Sequence, residues 1–191
     1  MLRVLLLSAV MVSLMVAPAT SAPRLKDKEP RYFYPTKVGE KRVFMIGDQE
    51  RTIEVTEVKE EEKSLVVITS GLDGQRIRTT ETYRVSDKGL FRLALGNQTF
   101  LEPLCMLKLP FEKDEQWTYD NRPKFPDWGT FTSAGRERVE VPAGKFDSVR
   151  IELDRNGPQR ATYWYAEGIG LVKAVYADGL SSVLKSYTLG K

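Results

Sequence analysis

Two stretches of this chain match two later ones, and that internal likeness is the strongest constraint on its fold. Pro35-Thr-Lys-Val-Gly-Glu-Lys-Arg-Val-Phe44 aligns with Pro110-Phe-Glu-Lys-Asp-Glu-Gln-Trp-Thr-Tyr119. Tyr83-Arg-Val-Ser-Asp-Lys-Gly-Leu-Phe91 aligns with Trp164-Tyr-Ala-Glu-Gly-Ile-Gly-Leu-Val172. Two copies of one small unit sharing a core are therefore expected, with repeat one at about 32–99, a connector at 100–111 and repeat two at about 112–191. Within each copy the apolar residues alternate. Val149, Ile151 and Leu153 fall on one face of an extended segment, and Arg150 and Glu152 on the other.

Turn residues punctuate these runs. Gly47-Asp48, Asp73-Gly74, Asp87-Lys-Gly89, Pro142-Ala-Gly144, Asn156-Gly-Pro158 and Asp178-Gly179 each separate two strand-like segments. An Asp-Gly pair suits a hairpin because its central residues take positive φ. Strands are expected at 41–46, 51–58, 64–69, 75–85 and 90–95, then at 116–120, 130–141, 148–153, 161–166, 171–176 and 182–189. Residues 100–111 are read as a buried connector, because Pro103 and Pro110 argue against a central strand or a long helix. Residues 121–129 form a Pro-rich loop that the first copy lacks. The fold class is all-β: a long curved antiparallel sheet, as a half-barrel or open cup, of four or five strands per copy. A two-sheet sandwich is the alternative.

The N-terminus has the pattern of a secretory signal peptide. Arg3 precedes an apolar run from Val4 to Val16, and Ala17-Pro-Ala19 offers small residues for cleavage. Residues 1–19 are expected to be removed, with cleavage after Ala22 as a second option disfavoured by Pro23. Residues 20–31 read as a flexible lead-in and 32–191 as one β-rich domain. No transmembrane segment is expected after cleavage, and the exported product would be periplasmic or secreted.

Composition excludes several chemistries. The chain has no histidine and one cysteine, Cys105, so a Ser-His-Asp triad, a Cys-His pair or a His-based zinc site cannot be built. The net charge is +3 with both signs interspersed, unlike the basic stripe of a nucleic-acid binder. Carboxylate-only catalysis and oxygen-ligated Ca²⁺ or Mg²⁺ stay open to such a composition, but no catalytic residue, cofactor or metal site is expected. Glu167-Gly-Ile-Gly170 reads as a hairpin turn because no helix follows it to hold a phosphate. Glu60-Glu-Glu62 reads as a solvated turn. Arg76, Arg78, Arg136, Arg138 and Arg150 lie on the polar sides of long strands and are read as cross-strand ion-pair partners. The richest aromatic run is Tyr163-Trp-Tyr165, with Trp164 on one face and the tyrosines on the other. A concave face lined by Val149, Ile151, Leu153, Trp117 and Trp164 is the candidate ligand site.

Four segments carry a resemblance: Tyr34-Pro-Thr-Lys-Val-Gly-Glu40; Leu107-Lys-Leu-Pro-Phe with Gln116-Trp-Thr-Tyr119; Val139-Glu-Val-Pro-Ala-Gly-Lys-Phe146; and Trp164-Tyr-Ala-Glu-Gly-Ile-Gly-Leu-Val-Lys173. In these the chain resembles a family of exported bacterial proteins of unknown function. It departs from the pattern at Arg42, which stands where the second copy has Trp117. The resemblance implies a β-rich envelope domain, similar in fold to bacterial lipoprotein carriers and envelope-stress sensors that hold acyl chains in a concave face. A non-catalytic binding protein, with lipid or another envelope protein as partner, is the first expectation. A structural or protein-interaction module with a filled core is the alternative.

Overall fold

The computed structural model describes residues 32–73, 76–122, 128–155 and 159–190. The expected signal peptide and lead-in, part of the expected 121–129 loop, Gly74 of the Asp73-Gly74 turn and the Asn156-Gly-Pro158 turn lie outside the described residues.

Twelve antiparallel strands form one sheet: β1 Lys41–Ile46, β2 Gln49–Glu61, β3 Ser64–Asp73, β4 Arg76–Ser86, β5 Gly89–Leu95, β6 Gln98–Lys108, β7 Gln116–Asp120, β8 Trp128–Val141, β9 Gly144–Arg155, β10 Arg160–Ala166, β11 Gly170–Tyr176 and β12 Ser181–Thr188. Their order is β6-β5-β4-β3-β2-β1-β12-β11-β10-β9-β8-β7. The chain thus runs as two six-strand meanders joined laterally where β1 pairs with β12. The sheet curls into a nearly closed barrel, which is the curved sheet expected and not the sandwich.

The first half has six strands in place of the expected five because residues 100–111 are not a connector. Most of them belong to β6, an edge strand. An edge can hold Pro103, whose missing N–H would break a ladder in the sheet interior. The β5–β6 register pairs Arg92 with Leu104 and Ala94 with Thr99, so residues 100–103 stand outside regular pairing.

β6 and β7 are the two edges of the sheet and follow one another in the chain. Side chains span the seam between them. The Trp117 indole Nε1 donates to the Cys105 carbonyl at 2.9 Å, and Lys108 pairs with Glu115. Trp117 also stacks on Phe131 with ring centroids 5.6 Å apart. This seam covers backbone groups that an open edge would expose to other chains.

Inward alternation builds the main core. Val55, Val67, Val85, Leu107, Phe131, Val149 and Ile151 are almost fully buried in it. A second cluster gathers Val139 and Val141 of β8 with Trp164, Val172 and Leu184, and Phe146 packs against it. The β8–β9 turn reaches β12 to complete it, with the Ala143 N–H donating to the Leu184 carbonyl at 3.1 Å. Among the described residues no helix is long and apolar enough to cross a membrane.

Candidate functional site

Four strands carry an arginine in register with their inward apolar residues. Arg42 alternates with Phe44 and Ile46 on β1, and Arg51 with Ile53 and Val55 on β2. Arg92 follows Leu90 on β5, and Arg155 follows Leu153 on β9. All four line one cavity of about 260 Å³ inside the barrel. Its apolar wall includes Phe44, Ile46, Ile53, Leu90, Met106 and Leu171. Its polar wall adds Glu81, Ser182 and the tyrosines Tyr34, Tyr83, Tyr163, Tyr165 and Tyr176.

Tyr34 comes from the segment before β1. The Gly168 N–H at the β10–β11 turn donates to the Tyr32 carbonyl at 2.6 Å and ties this segment down. Tyr34 then packs on Tyr83 with ring centroids 4.6 Å apart. Arg42 lies over the Tyr34 ring at 4.8 Å and near the Phe44 ring at 5.9 Å. Gly170 permits this approach: at φ +85 it has no side chain, and a Cβ there would sit 3.0 Å from the Arg42 Nη1 and 3.2 Å from Pro35. Glu167-Gly-Ile-Gly170 is thus the expected hairpin turn, and its last glycine seats the N-terminal segment and Arg42.

One acid faces these arginines, and it is engaged. Tyr83 and Arg92 are direct cross-strand partners of β4 and β5. Arg92 donates to the Tyr83 hydroxyl from Nε at 3.1 Å and from Nη2 at 2.9 Å. The Tyr83 hydroxyl donates to Glu81, whose carboxylate also lies 3.5 Å from Arg92. Glu81 and Arg92 therefore balance one another. Among the described residues no carboxylate forms an ion pair with Arg42 or Arg51.

Burial keeps the phenols neutral. Desolvation raises the Tyr34 phenol against the opposing pull of Arg42. It raises Tyr83 well above the ordinary tyrosine range and Tyr165 likewise. Tyr176 is also raised by burial, while Arg92, Arg51 and Arg155 act in the other direction. Burial pushes the Cys105 thiol up to about 11, so it is a poor nucleophile at neutral pH. The cavity thus offers neutral hydroxyl donors, guanidinium forks and apolar walls. Among the described residues no group of three His, Cys, Asp or Glu could hold a metal ion.

The residues expected to line a ligand site do not line this cavity. Val149 and Ile151 are fully buried in the main core, and Leu153 is nearly so. Trp117 packs against that core at the seam. Trp164 is in the second cluster, with its indole donating to Glu137 and Lys173 4.9 Å from its ring. None of the five lines the cavity; Leu153 alone lines a neighbouring pocket of about 390 Å³. Tyr163 and Tyr165 do face the cavity, as the alternation around Trp164 requires. Among the surface arginines, Arg150 pairs with Glu137 and Glu152, whereas Arg136 lies over the Phe111 ring at 5.1 Å. The arginines that matter for a site carry a signal that the sequence does contain: a cation at a position whose parity is apolar.

Two solved structures share this fold. One is a candidate exported protein with a YmcC-like fold from Bacteroides fragilis, 15% identical, with a TM-score of 0.57 over 83% of this chain and 100% of its own. The other is a candidate lipoprotein from Parabacteroides distasonis, 13% identical, with a TM-score of 0.51 over 84% of this chain and 100% of its own. At these identities the likeness is one of fold, and neither is described as a lipoprotein carrier. No protein-family model and no curated protein matches the chain.

Proposed function

We propose that this is an exported, non-catalytic protein of the bacterial cell envelope that binds a small ligand inside its barrel. The cavity of about 260 Å³ carries this reading, because it leaves part of the barrel interior unfilled beside the main core and lines it with apolar, guanidinium and hydroxyl groups. Export is supported by the signal-peptide pattern of residues 1–19 and by the fold shared with a candidate exported protein and a candidate lipoprotein. A binding role is favoured over catalysis by the side chains themselves. The phenols stay protonated, the thiol is raised, and Glu81 is held by Tyr83 and Arg92. The partner is then a lipid or another small envelope molecule with an apolar part.

Native mass spectrometry tests this on protein purified from its own envelope fraction without detergent. A reproducible added mass, released on denaturation, is the expected result. A bare mass, with no uptake of added fatty acid or phospholipid, would overturn the ligand reading. It would turn attention to protein partners at exposed apolar residues such as Leu101.

A further inference from the structure

Arg42 and Arg51 project from adjacent strands onto the same inner face. In the β1–β2 ladder Arg42 is opposite Ile53 and Arg51 is opposite Phe44, so the two arginines are diagonal neighbours. Such positions are about 7–8 Å apart. From them the Arg42 guanidinium turns toward Tyr34 and Gly170, and the Arg51 guanidinium toward Gly71 on β3, so a head group would lie between the two. Arg42 is only 5% exposed, and Arg51 is half-buried. A guanidinium stays charged at any relevant pH, so it cannot escape burial by losing its proton. A buried cation is costly unless an opposite charge compensates it. Aromatic stacking on Tyr34 and Phe44 offsets part of that cost for Arg42. The one acid in the cavity wall is already committed to Arg92 and Tyr83.

From this geometry we infer that the barrel binds a small organic anion, with its carboxylate or phosphate head on Arg42 and Arg51 and its apolar body along Phe44, Ile53, Leu90 and Met106. The inference rests on the binding role proposed above and names the ligand class. Guanidinium forks match the planar or tripodal oxygens of such a head and bind them through paired charge-assisted hydrogen bonds. Ser182 and Tyr176 add neutral hydroxyls to the same wall. The volume, about 260 Å³, suits a compact molecule. Arg155, Tyr163 and Tyr176 belong both to the cavity and to the neighbouring pocket, which is also lined by Gln159, Arg160 and Asp178.

Titration calorimetry on the purified domain with decanoate, decyl phosphate and decanol separates charge from chain. At least one of the two anions is expected to bind tenfold or more tightly than decanol, with an affinity that falls as salt is added. The stronger of the two identifies the head as carboxylate or phosphate. Arg51→Met should weaken anion binding about tenfold or more, leave decanol binding unchanged, and leave the circular dichroism spectrum and melting temperature as they were. Arg42→Met, with the same controls, provides a second variant. Equal binding of decanol and the anions would overturn the inference while leaving the binding role standing. Unaltered anion affinity in a folded Arg51→Met protein would do the same. If none of the three molecules binds to folded protein, the binding role fails with it.

Discussion

At the residue scale, burial and site membership separate cleanly. Ile151 has no exposed surface and sits among Val67, Phe131 and Val149 in the main core. Truncating it removes buried methyl groups and leaves a hole that the sheet cannot close. Ile151→Ala is therefore expected to cost about 2–5 kcal/mol in a urea titration. Any ligand bound by the remaining folded protein should keep its affinity, because Ile151 does not touch the cavity. A loss of binding with no loss of stability would place Ile151 in the site instead. The alternation at Val149, Ile151 and Leu153 was readable in the sequence as a buried face. What it could not show is which buried positions meet a hollow and which meet one another. That depends on where inward residues fall around a closed curve, and bulges at Val43/Phe44, Thr82/Tyr83 and Trp164/Tyr165 shift the pairing on three of the ladders. Arg42 stood out only as a departure from an aromatic pattern, yet its parity with Phe44 and Ile46 already placed a cation inside.

At the scale of elements, tight turns and edges decide where strands can go. Gly89 opens β5 at φ +137, and a Cβ there would lie 2.0 Å from the Leu107 carbonyl oxygen on β6. Alanine cannot occupy that space without displacing backbone. Gly89→Ala should cost more than the roughly 1–3 kcal/mol expected for backbone strain alone, and should speed amide hydrogen exchange along β5 and β6. Gly135 in β8 is a useful comparison, since it also has positive φ (+145) but nothing within 4 Å of an added Cβ. If Gly135→Ala proved as damaging as Gly89→Ala, the close β5–β6 approach would not be the cause. The turn signals Asp87-Lys-Gly89, Pro142-Ala-Gly144 and Asp178-Gly179 correctly marked hairpins in the sequence. β6 was not legible, because Pro103 is a strand breaker everywhere except at an edge, and edge position is a property of the assembled sheet.

For the whole molecule, the buried phenols and the raised thiol set how stability responds to base. Tyr34, Tyr83, Tyr165 and Tyr176 all hold their protons more tightly in the folded chain than at the ordinary value of 10.0, and Cys105 moves from 9.0 to about 11. A group raised on folding adds stability that is complete below its unfolded value and is lost as pH rises through its folded one. The urea midpoint should therefore stay level from neutral pH to about pH 9 and then fall as the pH passes 10. Tyrosinate absorbance should rise together with unfolding. A midpoint that held level to pH 11 with these phenols still protonated would show that burial does not govern them. The cavity lined by these hydroxyls leaves part of the barrel interior unfilled beside its packed core. The barrel's all-β, curved character was evident from alternation and turn spacing, whereas its cationic lining emerged only once β1, β2, β5 and β9 were placed around one hollow.

The most direct test of the proposed anion binding is a crystal structure of the domain grown with decanoate or decyl phosphate, whichever binds more tightly. The account predicts the anionic head within hydrogen-bonding distance of Arg51 and Arg42, and the chain against Phe44 and Met106. A head group bound outside the barrel, or a chain inside with its head turned away from both arginines, would contradict it.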